Sequence, residues 1–419
     1  MDIPDFRQNT AMRLAQTRRI SLDIAEPLSA EDQVVQPSED ASPTKWHLAH
    51  TTWFLEEVVL KPFDPDYREY NPQFSYCFNS YYEALGPRHP RLQRGLLTRP
   101  THAEVLGYRA HVDDAVRRVT SEGAAALPAA AWDLLELGVH HEQQHQELMM
   151  TDCLVLFAGN PLKPAYRATV AEAPRSQQDV KWIDFDGGVK EIGHNGHSFS
   201  FDNETPRHQS LLRPFKLANR AVTNGEWLEF INDGAYDAVS LWLSDGWSTV
   251  QREGWRAPLY WREGDDGWSQ MTLRGLLPVD PSRPVSHISL YEADAFARWA
   301  GKRLPTEFEW ELASQGVAIA GNFLGQGALQ PCVGGSSEDL NQMFGDVWEW
   351  TASPYVGYPG FKPTAGAVGE YNGKFMCNQF VLKGGSCVTP DGHVRRTYRN
   401  FFYPHQRWQF TGLRLAFDS

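Results

Sequence analysis

The segment HHEQQHQELMM, residues 140–150, contains the side chains whose types and spacing most clearly suggest chemistry. His141 and His145 are four residues apart, so on a helix they share one face and can bind the same metal ion. With Glu142 they form an H-E-x-x-H motif, which is typical of zinc hydrolases that use the glutamate as a general base. The alternatives are a site for another metal and a pair of buried, hydrogen-bonded histidines without a metal.

The residues after the motif weaken the zinc-hydrolase interpretation. The extended metzincin pattern requires a glycine and a further histidine on the next turns of the helix, where this chain has Leu148 and Thr151. Glu142 also points to a different face of the helix from His145. Leucines on the histidine stripe indicate that this face is directed at a core, where a protonated histidine would be costly. That environment favours neutral histidines acting as metal ligands.

A third ligand is available upstream. The segment SPTKWHLAHTTWFLEE predicts a helix with Ser42 as N-cap and Pro43 as the first helical residue, and it carries His47 and His50. In a four-helix bundle, the second and fourth helices can face each other across the core. The residues alone do not distinguish His47 from His50 as the ligand.

These candidate histidines lie in the first half of the chain, whose sequence predicts α-helices. Helices are expected over four segments, at residues 8–24, 43–60, 101–121 and 129–158. Four helices of similar length predict a four-helix bundle over residues 1–160. The connection at 61–100 is rich in Pro, Tyr and Arg, and such long loops are often functional.

The pattern changes after this bundle. Residues 161–180 contain three prolines and few large apolar residues, which predicts a linker. Residues 181–419 alternate short apolar runs with Gly, Asp, Asn and Pro, and only 286–303 and 306–314 look helical. The second half therefore predicts an irregular α+β domain.

Composition excludes several classes of protein. A formal net charge of −13 argues against a nucleic-acid-binding protein, which would need a basic face. No 18-residue apolar run predicts a membrane span, and the N-terminus lacks the apolar region of a signal peptide. Five cysteines without C-x-x-C spacing indicate a reduced protein. We expect a cytoplasmic monomer or small homo-oligomer.

Several ordered motifs together resemble one family over nearly the whole chain, the iron-dependent sulfoxide synthases of ergothioneine biosynthesis. The first half resembles their DinB-like four-helix bundle through SPTKWHLAHTTWFLEE, FNSYYEALGPRHPR and HHEQQHQELMM. The second half resembles the formylglycine-generating-enzyme fold, a C-type-lectin-like domain, through FDNETPRH, AVTNGEWLEFINDGAY, RWAGKRLPTEFEWELA, GDVWEWTASPY and VLKGGSCVTPDGHVRRTYRNFF. The resemblance implies an α plus α+β architecture.

The resemblance also implies a metal site and a reaction. It places Fe(II) on His50, His141 and His145, and makes His47 a structural helix residue. Three neutral ligands leave open positions on the metal, as in the facial triads of non-haem oxygenases. The family reaction uses O₂ to join a thiol sulfur to the imidazole C2 of hercynine (Nα-trimethylhistidine) and to oxidise that sulfur to a sulfoxide.

Further residues acquire implied roles from the family. A tyrosine near the metal gives a proton or electron, and Tyr81 and Tyr82 match that position, with at least one of them packing the fold instead. Gln144 matches a contact to the substrate imidazole, or alternatively supports a metal ligand. In YRNFFYPHQRW, which is expected to complete the site across the domain interface, Asn400 matches a hercynine-binding residue. Phe401 and Phe402 offer aromatic faces for a trimethylammonium group, unless they belong to the core.

At the residues that bind the sulfur donor, this chain differs from part of the family. Members that use γ-glutamylcysteine have an Asp and an Arg where this chain has Phe402 and Gln406. The chain therefore resembles the members that take free cysteine, or the related selenoneine synthases, which form a C–Se bond from a selenosugar. Arg88 and Arg91 are carboxylate anchors in this interpretation and solvated charges in the alternative. A zinc hydrolase and a non-catalytic lectin-like module remain as rival functions.

Overall fold

The computed structural model describes residues 3–121, 127–168, 179–335, 339–364, 369 and 372–418. The chain divides into two compact units, one over Met1–Leu162 and one formed mainly by Lys163–Ala365 and Gly369–Ser419. Each unit has its own core and is described by itself.

The first unit is built from helices. They are α1 (Ile3–Ala25), α2 (Thr44–Leu55), α3 (Lys61–Phe63), α4 (Phe74–Phe78), α5 (His102–Thr120) and α6 (Ala129–Gly159). Helix α1 packs against α6, α6 against α2, α2 against α5, and α5 against α1, so the long helices close into a ring. The predicted four-helix bundle is confirmed.

Helix α2 lies at the centre of this unit. Every residue of Thr44–Leu55 is buried, including the polar side chains of Lys45, His47 and His50, so the helix is enclosed on all sides. The predicted start of α2 was wrong by one residue, because Pro43 is the N-cap. Ser42 does not cap the helix: its N–H donates to Asp152 Oδ2 at 2.8 Å and its Oγ accepts from Arg94 at 3.0 Å.

The loop between α2 and α5 is anchored to the bundle. It contains 3₁₀ turns at Glu83–Leu85 and Arg91–Leu96. Arg94 is buried in the second turn and donates to the hydroxyls of Ser42 and Ser80, both at 3.0 Å. These bonds tie the segment around Ser80 to the start of α2, which brings the neighbouring tyrosine pair to the bundle.

The second unit combines short helices with small sheets. Its helices are α7 (Asn224–Asn232), α8 (Ser244–Glu253), α9 (Leu290–Trp299) and α10 (Glu307–Ala313). Its strands are β1 (Trp182–Phe185), β2 (Gly188–Ile192), β3 (His208–Leu212), β4 (Phe215–Ala218), β5 (Trp261–Gly264), β6 (Gly267–Thr272), β7 (Gly275–Pro278), β8 (Trp348–Pro354), β9 (Phe380–Lys383), β10 (Asn400–Phe402), β11 (Thr411–Gly412) and β12 (Ala416–Asp418). This mixture confirms the predicted α+β class.

The expectation that only two segments of this unit are helical was wrong, because α7 and α8 are also helices. Helix α7 begins with a capping box in which Thr223 Oγ1 accepts from the Glu226 N–H and the Glu226 carboxylate accepts from the Thr223 N–H. Helix α8 ends at Gly254, whose positive φ suits a helix C-terminus. The capping box of α7 and the glycine after α8 are both local signals, so these helices could have been predicted from the sequence.

The sheet of β10-β9-β8-β11 forms much of the second core. On β8, Trp348 and Trp350 are buried, and Glu349 pairs with the buried Arg414 at 2.8 Å. The indole N–H of Trp310 on α10 donates to the same carboxylate at 2.8 Å. The motifs GDVWEWTASPY and RWAGKRLPTEFEWELA thus meet at one buried ion pair.

The linker expected at 161–180 stays a prediction, and its residues 169–178 lie outside the described residues. Within it, the N–H groups of Tyr166 and Arg167 donate to the Leu273 carbonyl, at 3.0 and 3.2 Å, so this part is attached to the second unit. None of the helices in the described part of the chain has the length and apolarity needed to cross a bilayer.

Candidate metal centre

Three histidines from two helices of the first unit meet in its core. His50 lies on α2, and His141 and His145 lie on α6, one helical turn apart. One ring nitrogen of each lies within 4.8 Å of the corresponding nitrogen of the other two. His50 and His141 are buried, at 0% and 1% exposure, whereas His145 is partly exposed. The cluster therefore converges on a single point and has a more open side at His145.

Hydrogen bonds orient two of these rings. His50 Nδ1 donates to the carbonyl oxygen of Phe78 at 2.6 Å. This bond leaves His50 Nε2 buried and, among the described residues, without a hydrogen-bond partner. His145 Nδ1 lies 2.8 Å from His47 Nδ1. Metal-binding histidines commonly engage one nitrogen in this way and present the other to the ion.

The protein environment keeps the three rings neutral. Burial lowers the pKa of His141 to about 3. Burial, together with the neighbouring histidines, lowers the pKa of His50 and of His145 well below the ordinary value. Because these pKa values are depressed, each ring has one unprotonated nitrogen at neutral pH. Neutral imidazoles suit iron, zinc and copper, so the donor set fits the iron implied by the family resemblance.

Aromatic rings form the walls of the cluster. Trp46 stacks on His50 with ring centroids 4.6 Å apart, and Trp53 lies on its other side at 5.4 Å. The Phe54 ring is 4.4 Å from that of His141. These contacts limit rotation of the histidine rings.

Glu142 is occupied elsewhere and does not face this cluster as a base. Its carboxylate pairs with Arg109, accepts from Arg18 at 3.0 Å and accepts from the Ser21 hydroxyl at 2.6 Å. Burial alone would raise the pKa of Glu142, but Arg109 and Arg18 lower it to about 2. The H-E-x-x-H match is therefore incidental, and the carboxylate clamps α6 to α1 and α5.

Of the tyrosine pair, Tyr82 lies deeper. Tyr82 is fully buried, and its ring stacks on that of Tyr81 at 4.7 Å. It also lies 5.6 Å from Trp53 and 6.2 Å from Phe54. Since Trp53 and Phe54 contact the rings of His50 and His141, Tyr82 belongs to the same aromatic layer as the histidine cluster, while Tyr81 forms its partly exposed outer face.

The other candidates of the first unit lie at its surface or near the open side. Gln144 precedes His145 and is partly exposed, as His145 is. The Arg88 side chain donates to the Glu83 carboxylate and to the Ser80 carbonyl, each at 3.0 Å. Arg91 donates to the Asp40 carbonyl at 2.6 Å. Both arginines thus have partners within the fold and keep exposed surface.

Asn400, Phe401 and Phe402 form β10 of the second unit. Asn400 Oδ1 accepts from the N–H of Phe401 at 3.0 Å. Phe401 stacks on Tyr355 with centroids 4.0 Å apart, whereas Phe402 meets Trp408 edge-on at 5.5 Å. The two rings therefore contact different neighbours, and the completion of the histidine site by this strand stays a prediction.

Reasoning from the sequence missed one acidic residue near the cluster. Asp152 lies on α6, seven residues after His145, and its carboxylate is 3.0 Å from His47 Nε2. Seven residues are about two helical turns, so the spacing alone could have placed Asp152 on the ligand stripe. His47 is thus a hydrogen-bonding neighbour of the histidine cluster.

Comparisons with known proteins agree with the two-unit architecture. Residues 13–149 match the DinB superfamily, and residues 166–333 and 326–419 match the sulfatase-modifying factor enzyme 1-like domain. The chain is 33% identical to hercynine oxygenase of Mycobacterium tuberculosis, over 90% of this chain and 91% of that protein. It is 32% identical to hercynine oxygenase of Mycolicibacterium smegmatis, over 98% and 99% of the two chains. Formylglycine-generating enzyme of Streptomyces coelicolor is 29% identical, over 56% of this chain and 87% of that enzyme. Similarity over at least 90% of this chain and of each of the first two proteins shows that the chain is an oxidoreductase of the hercynine oxygenase family.

Proposed function

We propose that this enzyme binds iron(II) through His50, His141 and His145 and uses O₂ to join a sulfur donor to the imidazole C2 of hercynine, giving a sulfoxide for ergothioneine biosynthesis. The observation that carries the proposal is the cluster of three neutral histidines, two of them buried, whose ring nitrogens lie within 4.8 Å of one another. The names of the relatives, hercynine oxygenases, support the choice of substrate and oxidant.

The proposed reaction balances with O₂ as the oxidant. The C2–H and S–H bonds break and a C–S bond forms. One oxygen atom of O₂ ends on sulfur and the other leaves as water with the two hydrogens. Bound iron supplies O₂ activation and a meeting point for the two substrates. The protein contributes neutral ligands, aromatic walls and a partly exposed side at His145 for substrate entry.

Substrate contacts are assigned by chemistry. Gln144, beside the partly exposed His145, has an amide that can hydrogen bond to the hercynine imidazole. Asn400, Phe401 and Phe402 would receive the trimethylammonium end, which has no N–H and favours aromatic faces. For the donor, cysteine is proposed, with its carboxylate on the guanidinium groups of Arg88 and Arg91.

A donor assay tests this function. Protein loaded with Fe(II) is incubated with hercynine, O₂ and, in separate reactions, cysteine, γ-glutamylcysteine or a selenosugar, and products are identified by mass. With cysteine we expect the combined mass of the two substrates plus one oxygen and less two hydrogens. A product from the selenosugar alone would instead assign C–Se bond formation. Hydrolysis by the zinc form without O₂, or no product with any donor, would contradict the proposal.

Tyr82 is proposed as the residue that holds a proton at its phenolic oxygen for the reacting oxygen species. Tyr82→Phe keeps the buried ring and removes this proton, so the ratio of cysteine sulfinate to sulfoxide should rise by roughly tenfold or more. Tyr81→Phe, which changes the outer ring of the same stack, is the matched control and should leave the ratio near that of the wild type. An unchanged ratio in Tyr82→Phe, with a changed ratio in Tyr81→Phe, would transfer the role to Tyr81.

A further inference from the structure

We propose that His47 and Asp152 form a hydrogen-bonded relay that fixes the tautomer and orientation of His145, and so act as positioning residues for the metal centre. This inference rests on the proposed function, since it assumes that His145 is a ligand. It adds two residues that touch neither the metal nor a substrate.

The relay is continuous and buried. Asp152 Oδ2 lies 3.0 Å from His47 Nε2, and His47 Nδ1 lies 2.8 Å from His145 Nδ1. His47 is 2% exposed and Asp152 is 4% exposed, so water has little access to the bond between these two residues. Asp152 Oδ2 also accepts from the N–H of Ser42 at 2.8 Å, which holds the carboxylate in place at the start of α2.

The carboxylate of Asp152, at one end of the relay, sets the direction of the hydrogen bonds. A carboxylate only accepts, so His47 must donate through Nε2. In the proposed relay His47 carries its proton on Nε2, and its Nδ1 accepts the proton of His145 Nδ1. His145 is thereby left with its lone pair on Nε2. One carboxylate thus determines, through two rings, which nitrogen of His145 can bind a metal ion.

The two oriented ligands are consequently supported in different ways. His50 Nδ1 donates directly to the backbone carbonyl of Phe78. His145 donates to an imidazole that is itself bonded to a carboxylate. Carboxylate-backed histidines are more basic ligands and are held in a defined tautomer, and changes to such supporting groups typically weaken metal binding by roughly 10–100-fold. The relay should therefore strengthen the ligand on the partly exposed side of the cluster.

The test measures metal affinity directly. Metal-free full-length protein is titrated with Co²⁺, followed by visible absorption in competition with a chelator. His47→Leu leaves the His145 N–H without an acceptor, and we expect Co²⁺ affinity to fall by roughly 10–100-fold with an altered ligand-field spectrum. His47→Asn places an amide oxygen near the position of Nδ1, and should recover affinity to within about threefold of the wild type.

Controls separate the relay from general effects on folding. His140→Leu removes another buried histidine of α6, one whose ring contacts Arg13 at 3.3 Å instead, and should keep wild-type affinity. Wild-type Co²⁺ affinity in His47→Leu would overturn the relay while leaving the three-histidine centre intact. If His47→Leu does not fold, Asp152→Ala carries the test, because it removes the acceptor of His47 Nε2, and wild-type affinity there would overturn the relay. Failure of the wild type to bind Co²⁺ would overturn the proposed centre itself.

Discussion

Replacing His50 with glutamine should abolish iron binding and sulfoxide formation together. Helix α2 contributes His50 to the cluster. The Nε2 atom of His50 is buried and can bind a metal ion. Loss of groups that merely support a ligand typically costs roughly 10–100-fold in metal affinity, so loss of a ligand should exceed about 100-fold. Glutamine keeps much of the side-chain volume, which limits the cavity left beside Trp46. Iron content after anaerobic reconstitution and turnover with hercynine are the measurements.

The matched control for this variant is His140→Gln, since His140 is a buried histidine beside His141 in sequence but outside the cluster. It should retain iron and turnover. If His50→Gln kept stoichiometric iron, His50 would not be a ligand. The ligand set would then have to be rebuilt from His141, His145 and a different group.

The second large effect is expected on stability, from Glu142→Gln. Glu142 is buried between two guanidinium groups, those of Arg18 and Arg109. Neutralising it leaves excess positive charge in the core, and breaking a buried ion pair from one side costs about 3–5 kcal/mol. The free energy of unfolding, measured by denaturant titration of the metal-free protein, should fall by that amount. Folded molecules of the variant should still turn over, because the residue is not a base.

Glu136→Gln provides the comparison on the same helix. Glu136 pairs with Arg13 at 3.3 Å, and the Arg13 side chain is 34% exposed. Such pairs contribute about 0–1 kcal/mol, so this variant should unfold almost as the wild type does. A variant Glu142→Gln that is equally stable but catalytically inactive would refute the clamp and restore the hydrolytic interpretation of the motif.

The helices of the first unit were predictable because their signals are local. The capping box of Thr101 and Glu104 marks the start of α5, and the box is present in the structure. The spacing of His141 and His145 places both on one face for any straight helix. Helices α7 and α8 were not predicted although their caps are equally local, because helices of nine and ten residues show only a short stretch of helical periodicity in a turn-rich domain.

The local sequence does not show whether His47 or His50 enters the cluster. They are three residues apart on α2, on neighbouring parts of its surface, and either could have faced α6. The rotation of α2 and the carbonyl of Phe78, twenty-eight residues away, direct His50 into the cluster. The role of Asp152 depends in the same way on His47, a contact across 105 positions of the chain.

The sequence by itself therefore determined the helical pattern, the placing of His141 and His145 on one face of α6 and the family, since these depend on local spacing or on ordered motifs. The tertiary structure shows independently of the family that His50, and not His47, joins His141 and His145, and it shows which groups hold Glu142. The physical reason is that these roles are set by hydrogen bonds and ion pairs between helices. The partners of Glu142, for example, come from α1 and α5, more than thirty residues away in sequence.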